Sequence, residues 1–168
     1  MTYNSYGNRS SRPQKNDRSG PRYDRKEKSS AVPEIKPLDV PEDYVDAAEQ
    51  VMKHLGQPDR QNPSRLRFSI TTSKIRNILT LVSDIYNVES RRTAETMLPE
   101  SNAKLQMLRI RILYEAGRDE RDVKPFVEKS KLLEYIKGIQ MNREKFIQFA
   151  HYMEALVAFK RYMNKNDD

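Results

Sequence analysis

Between Phe68 and Tyr162 the large aliphatic and aromatic residues return every three or four positions, and nowhere do they alternate over a useful length. Ile75, Ile78, Leu79, Val82, Ile85 and Tyr86 fall on one stripe of a helix, whereas the period of two in a strand would scatter them over both faces. The spacing therefore predicts an all-α chain. Thr71 or Thr72 can cap that helix, expected over residues 73–88. Pro99 suits the first turn of the next, which runs through Leu105, Leu108, Ile112 and Ala116 to Gly117 as its C-terminal cap. Pro125 opens another, with Phe126, Leu133 and Ile136 on one side and Gly138 at its end, and Asn142 caps the last, which carries Phe146, Phe149, Ala150, Met153, Leu156 and Val157.

Upstream, Tyr44, Ala48, Val51 and Leu55 repeat at helical spacing until Gly56 and Pro58. The expected architecture is a bundle of about five helices, the first more loosely attached. Apolar residues spread around most of the third helix, including Met107, Ile110, Leu113 and Tyr114, so it is expected in the middle of the bundle. Arg109 falls inside that apolar arc and needs either a carboxylate or carbonyl partner, or a groove in which a ligand supplies the anion.

Charge divides the chain. Of its 168 residues 33% are charged and 36% hydrophobic, with a mean hydropathy of -0.90, too polar for close packing throughout. Residues 1–30 carry eight basic and three acidic side chains, and Tyr3, Tyr6 and Tyr23 are their only large apolar groups besides Met1. Residues 1–40 are accordingly expected to be a disordered tail, basic and then proline-rich, and residues 41–168 a single helical-bundle domain. The tail is either an arm that grips nucleic acid with stacking tyrosines or a solubilising extension. Residues 31–63 have three basic and seven acidic groups, whereas residues 64–168 have twenty and fourteen. The net charge of +7 points to an anionic partner.

Several chemistries are excluded or poorly supplied. With no cysteine there is no disulfide, thiolate nucleophile or thiolate metal site. No apolar run approaches the roughly eighteen residues of a membrane span, and the first residues lack a signal-peptide core, so a soluble, cytoplasmic protein without a membrane partner is expected. His54 and His151 lie on different helices, the acids of Gly117 to Asp122 read as a solvated loop, and no phosphate-cradling glycine motif occurs. The chain is expected to be no enzyme and to carry no cofactor or metal. Binding chemistry is better supplied. Lys74 and Arg76 lie in a first helical turn beside Thr71, Thr72 and Ser73, with Arg65 and Arg67 just upstream, where free amides and the dipole favour phosphate. A cation in that turn opposes the dipole and needs another reason to be there. A second basic group comprises Arg118, Arg121, Lys124, Lys129 and Lys131, and a third, Lys160, Arg161 and Lys165, satisfies a helix C-terminus.

The runs FSITTSKIRNILTLVSDIYN, LQMLRIRILYEAGRD, VKPFVEKSKLLEYIKGI and REKFIQFAHYMEALVAFKRY, taken in order, resemble the small subunit of the type III-A CRISPR effector, the Csm complex. The resemblance covers roughly residues 65–162. It implies an all-helical subunit without catalysis of its own that stacks head to tail as an inner filament along the duplex of guide RNA and target RNA, beside the backbone subunits and the large polymerase-like subunit. Base pairing already supplies specificity there, so backbone contacts suffice. The matching motifs put Lys74, Arg76 and Arg118 among the RNA-facing positions, followed by Lys124. Stacking of this kind is heterologous, and the acidic first helix against a basic face of the next copy is one arrangement that would serve. Two other readings stay open: a helical DNA-binding regulator, which needs sequence preference and a dimer, and a structural adaptor without RNA contact.

Overall fold

In the computed structural model the described residues are 34–63 and 66–164, and they form six helices. These are α1 (Tyr44–Leu55), α2 (Thr72–Glu89), α3 (Pro99–Arg118), α4 (Val123–Lys129), α5 (Leu132–Ile139) and α6 (Arg143–Met163). The all-α expectation holds, with one small addition: β1 (Gln57–Pro58) pairs antiparallel with β2 (Leu66–Arg67). Thr71 caps α2 by accepting from the Lys74 amide at 3.3 Å, and Asn142 caps α6 by accepting from the Lys145 amide at 2.9 Å.

The central element is α6, which packs against α1, α2 and α5. Its buried Phe146, Phe149, Ala150, Met153 and Leu156 follow the three-and-four spacing of one stripe, and Tyr152 adds a second contact line through its edge-on ring packing with Tyr135 at 5.3 Å. Burial raises the hydroxyl pKa of both tyrosines, and Tyr152 donates to the Ser130 carbonyl at 3.1 Å. This corrects the expectation that α3 runs through the middle: α3 buries Leu105, Leu108, Ile112 and Ala116 on one side only and leaves Met107, Ile110, Leu113 and Tyr114 exposed.

Four local expectations also change. The predicted fourth helix is two, because Ser130 bonds back to the Phe126 carbonyl and Lys131 takes a left-handed conformation at φ 52°, redirecting the chain between α4 and α5. Gly117 does not cap α3, which continues through Arg118 to a cap at Asp119. Gly138 does not end its helix but lies within α5. Lys160 lies in the last turn of α6 as expected but is buried rather than on the helix surface: it is 1% exposed, donates to Thr72 Oγ1 at 2.8 Å and sits 5.7 Å from the centre of the Phe68 ring.

Of the expected tail, residues 1–33 lie outside the described residues, and so do Arg65 and Lys165 among the basic positions. Residues 34–40 have no regular secondary structure and are held on the bundle. The Leu38 amide donates to the Glu134 carbonyl at 3.1 Å, Lys137 Nζ to the Ile35 carbonyl at 2.6 Å, and Lys145 pairs with Asp39 at 2.7 Å. Val40 is buried, and α1, far from being loosely held, buries Ala48 and Met52 completely against its neighbours. Gly138 explains how this segment comes so close, since a Cβ there would run into the Leu38 carbonyl.

The loop from α2 to α3 is fixed by one buried carboxylate. Glu89, fully buried, accepts from the Leu98 amide at 3.0 Å and from Arg92 at 2.8 Å, and the Ser101 hydroxyl joins them. Arg143 closes the other side through the Ala94 carbonyl at 2.6 Å. Gly138→Ala is expected to destabilise the fold by about 1–3 kcal/mol. Denaturant titration checks the loss, and limited proteolysis should show earlier cleavage within residues 34–40.

Candidate nucleic-acid interface

The N-terminal turn of α2 and the C-terminal half of α3 lie side by side, and the cleft between them is lined by Lys74, Asn77, Arg111, Glu115 and Arg118 above a floor that includes Ile78 and Ile112. The Thr71 cap fixes where α2 begins and therefore which way Lys74 leaves it. Its ammonium crosses to the α3–α4 junction and donates to Asp119 Oδ2 at 2.5 Å and Asp122 Oδ2 at 3.4 Å. This tie supplies the reason for a cation in a turn whose dipole disfavours one. The hydrogen bond to Asp119 raises the Lys74 pKa above its ordinary value and, reciprocally, holds the Asp119 carboxyl below its own. Asp119 serves twice, because its Oδ1 also accepts from the Asp122 amide at 3.0 Å at the start of α4.

The four sequence-predicted positions are only partly brought together. Lys74 and Arg118 share the cleft. Arg118 is exposed, pairs with Glu115 at 2.6 Å and holds its guanidinium 5.9 Å from the centre of the Tyr114 ring. Arg76, two residues beyond Lys74 and hence about 200° around the helix, is exposed away from the cleft. Lys124 is exposed at the start of α4, next to the cleft-lining Val123, with Glu120 3.7 Å away. Arg111 belongs to the cleft although sequence reasoning passed it over. Its signal was present: Lys104, Arg111 and Arg118 recur at intervals of seven, which returns to nearly the same helix face every two turns.

Other singled-out residues have different surroundings. His54 Nδ1 meets the Gln50 carbonyl at 2.7 Å, and His151 lies between the rings of Tyr44 and Tyr86, with the Tyr86 hydroxyl at 3.3 Å. Arg109 is half-buried, and its Nε makes no hydrogen bond among the described residues, so the carboxylate or carbonyl expected there is not found at that atom. Among the described residues no three His, Asp or Glu side chains converge as metal ligands, and no helix is long and apolar enough to cross a membrane.

A concave seam of lysine and arginine on rigid helices can hold phosphate, but its carboxylates compete for the same cations. Such a seam gives weak contacts that gain strength only by repetition. The fold is thus that of a small helical protein with a concave basic seam on its surface. The chain matches the Csm2 Type III-A family over residues 40–166. A Mycobacterium tuberculosis (strain CDC 1551 / Oshkosh) protein described as CRISPR system Cms protein Csm2 is 36% identical over 129 residues, covering 76% of this chain and 97% of the relative. The protein of the same description from Streptococcus thermophilus is 36% identical over 126 residues, covering 75% and 95% respectively. One from Enterococcus italicus is 32% identical over 102 residues, covering 58% and 71%. The chain belongs to the Csm2 Type III-A family and is a Csm small subunit.

The Lys74–Asp119 tie carries a definite pH dependence. Because the folded Asp119 pKa is depressed, its contribution is present above the ordinary aspartate value of 3.8 and disappears as pH falls through the lower folded value. The Lys74 contribution is present below 10.5 and is lost as pH rises through its raised folded value. Asp119→Asn is expected to destabilise the protein at neutral pH, with the difference from wild type shrinking under acid. Denaturation curves at neutral and acidic pH check this, and a difference that stays constant with pH would contradict it.

Proposed function

We propose that this chain is the non-catalytic small subunit of a type III-A CRISPR RNA-guided effector in antiviral defence, working in the cytoplasm. It stacks with further copies of itself as an inner filament, beside the backbone and large polymerase-like subunits, and binds the backbone of the duplex between guide RNA and target RNA. The observation that carries the RNA reading is the α2–α3 cleft, where Lys74, Arg111 and Arg118 face one concave surface. A duplex specified by base pairing asks of its neighbour only shape and charge, and these three cations supply charge at fixed positions. The exposed acidic Glu42, Asp43 and Asp46 at α1 support a heterologous contact with a basic face of the next copy. Membership in a family whose relatives are described as CRISPR system proteins supports the setting.

Lys74 is a poor first target, because replacing it also breaks the tie to Asp119 and Asp122. Arg111→Glu/Arg118→Glu leaves that tie in place. Binding of RNA duplexes of unrelated sequence is measured by fluorescence anisotropy across a salt series. Wild type is expected to bind without sequence preference, and the double variant to bind at least roughly tenfold more weakly, with a log-log salt slope shallower by roughly 0.7–0.9 per lost contact. Unchanged binding by the double variant would refute the cleft. Loss of binding in Arg76→Glu alone would put the RNA on the outer face of α2. Sequence-selective binding of duplex DNA would favour a regulator.

A further inference from the structure

One stripe of α3 serves neither the core nor the cleft ties just described. Met107, Ile110, Tyr114 and Gly117 succeed one another at intervals of three and four, interleaved with Arg111 and Arg118, and all six are exposed. Met107 and Tyr114 are each 64% exposed and Ile110 58%. Together with Leu81 and Asp84 of α2 and Lys104 of α3, much of this stripe lines a shallow groove that is mainly apolar.

Gly117 makes the stripe informative. It is helical, so no left-handed turn requires it, and a Cβ built there would meet nothing within 4 Å. Alanine would fit and would stabilise the helix, so nothing within the described fold calls for glycine. A bare backbone on an exposed helix face is useful when another molecule has to come close to it. Beside it the Arg118 guanidinium lies over the Tyr114 ring, a flat surface with positive charge attached.

We propose that this stripe binds an unpaired nucleotide of an RNA strand. The base stacks on the Tyr114–Arg118 pair, the sugar-phosphate chain passes over Gly117, and Arg111 and Lys104 hold flanking phosphates. Met107 and Ile110 cover the next base or sugar along the strand. A continuous duplex makes no use of these apolar groups, because its bases already cover one another's faces. An exposed base face does use them, and aromatic stacking beside a cationic track is the general solution for single strands. Asp84 and Glu115 limit the net positive charge, so affinity rests on stacking more than on salt-sensitive contacts. The inference rests on the RNA-binding reading above and adds a different contact to it, with a base where the cleft has only backbone.

The test compares the full chain on a blunt RNA duplex and on the same duplex with a bulge of unpaired uridines. Wild type is expected to prefer the bulged RNA by roughly tenfold. Tyr114→Ala should abolish that preference and Tyr114→Phe should keep it. Gly117→Ala should raise the melting temperature by a few degrees while reducing the preference, two opposite effects that simple damage to the fold would not produce. Equal binding of both RNAs by wild type, or a preference that survives Tyr114→Ala and Gly117→Ala, would overturn the proposal. So would variants that keep the preference but no longer enter the effector complex, since the stripe would then face protein. Binding of blunt duplex without preference leaves the cleft reading standing and removes only this one, whereas binding of neither RNA removes both.

Discussion

Burial of α6 is the constraint to which the rest of the molecule answers. One face of this helix places Phe146, Phe149, Met153 and Leu156 beyond the reach of water, each such side chain contributing about 1.5–3 kcal/mol by removal from solvent. A helix of 21 residues with so much apolar surface cannot be covered by a single neighbour, so α1, α2 and α5 each take a side. That arrangement leaves α3 packed mainly against α2, α4 and α5, with one flank in solvent. Lys160 then fastens the far end of α6 to the first turn of α2 through Thr72. The start of α2, and with it the mouth of the cleft, is thereby set by the same helix that organises the core.

Within the cleft, the charges that hold the fold together are the same ones that the proposed binding would use. Lys74 holds the α2 terminus to the α3–α4 junction, and Arg118 is partnered by Glu115. A cation already paired is inexpensive to keep on the fold and yields only part of its charge to an incoming phosphate. In the proposed filament, many weak, identical contacts along a repetitive ligand would suffice, because linkage supplies the affinity that each site lacks. Arg111 is the cation of the cleft that pairs with no carboxylate among the described residues, and it also borders the neighbouring groove. The two surfaces therefore adjoin, sharing Leu81, Leu108 and Arg111.

Much of this was legible before any coordinates. The stripes of α2 and α6, the caps Thr71 and Asn142, and Pro99 at the start of α3 are local matters, set by helix period and by side chains that reach their own backbone within three residues. The order of motifs carried the family resemblance for the same reason. Glycine was misleading, because its signal is ambiguous: Gly138 makes room for Leu38, which is distant in sequence, and Gly117 stays inside a helix that continues past it. The apolar outer flank of α3 misled as well, since a hydrophobic residue looks the same in sequence whether it meets the core or solvent.

The sequence by itself determined which segments are helical, where most of them start, and that the chain is basic and lacks thiol chemistry, since periodicity, capping and charge are properties of near neighbours. Only the tertiary structure decided which helix lies at the centre, that residues 34–40 are part of the packed body, that Lys74 meets carboxylates 45 and 48 residues away, and that Arg111 rather than Arg76 completes the cleft. Those are facts about pairs of surfaces distant along the chain, and they are settled by which combination buries the most apolar area while leaving each buried charge with a partner.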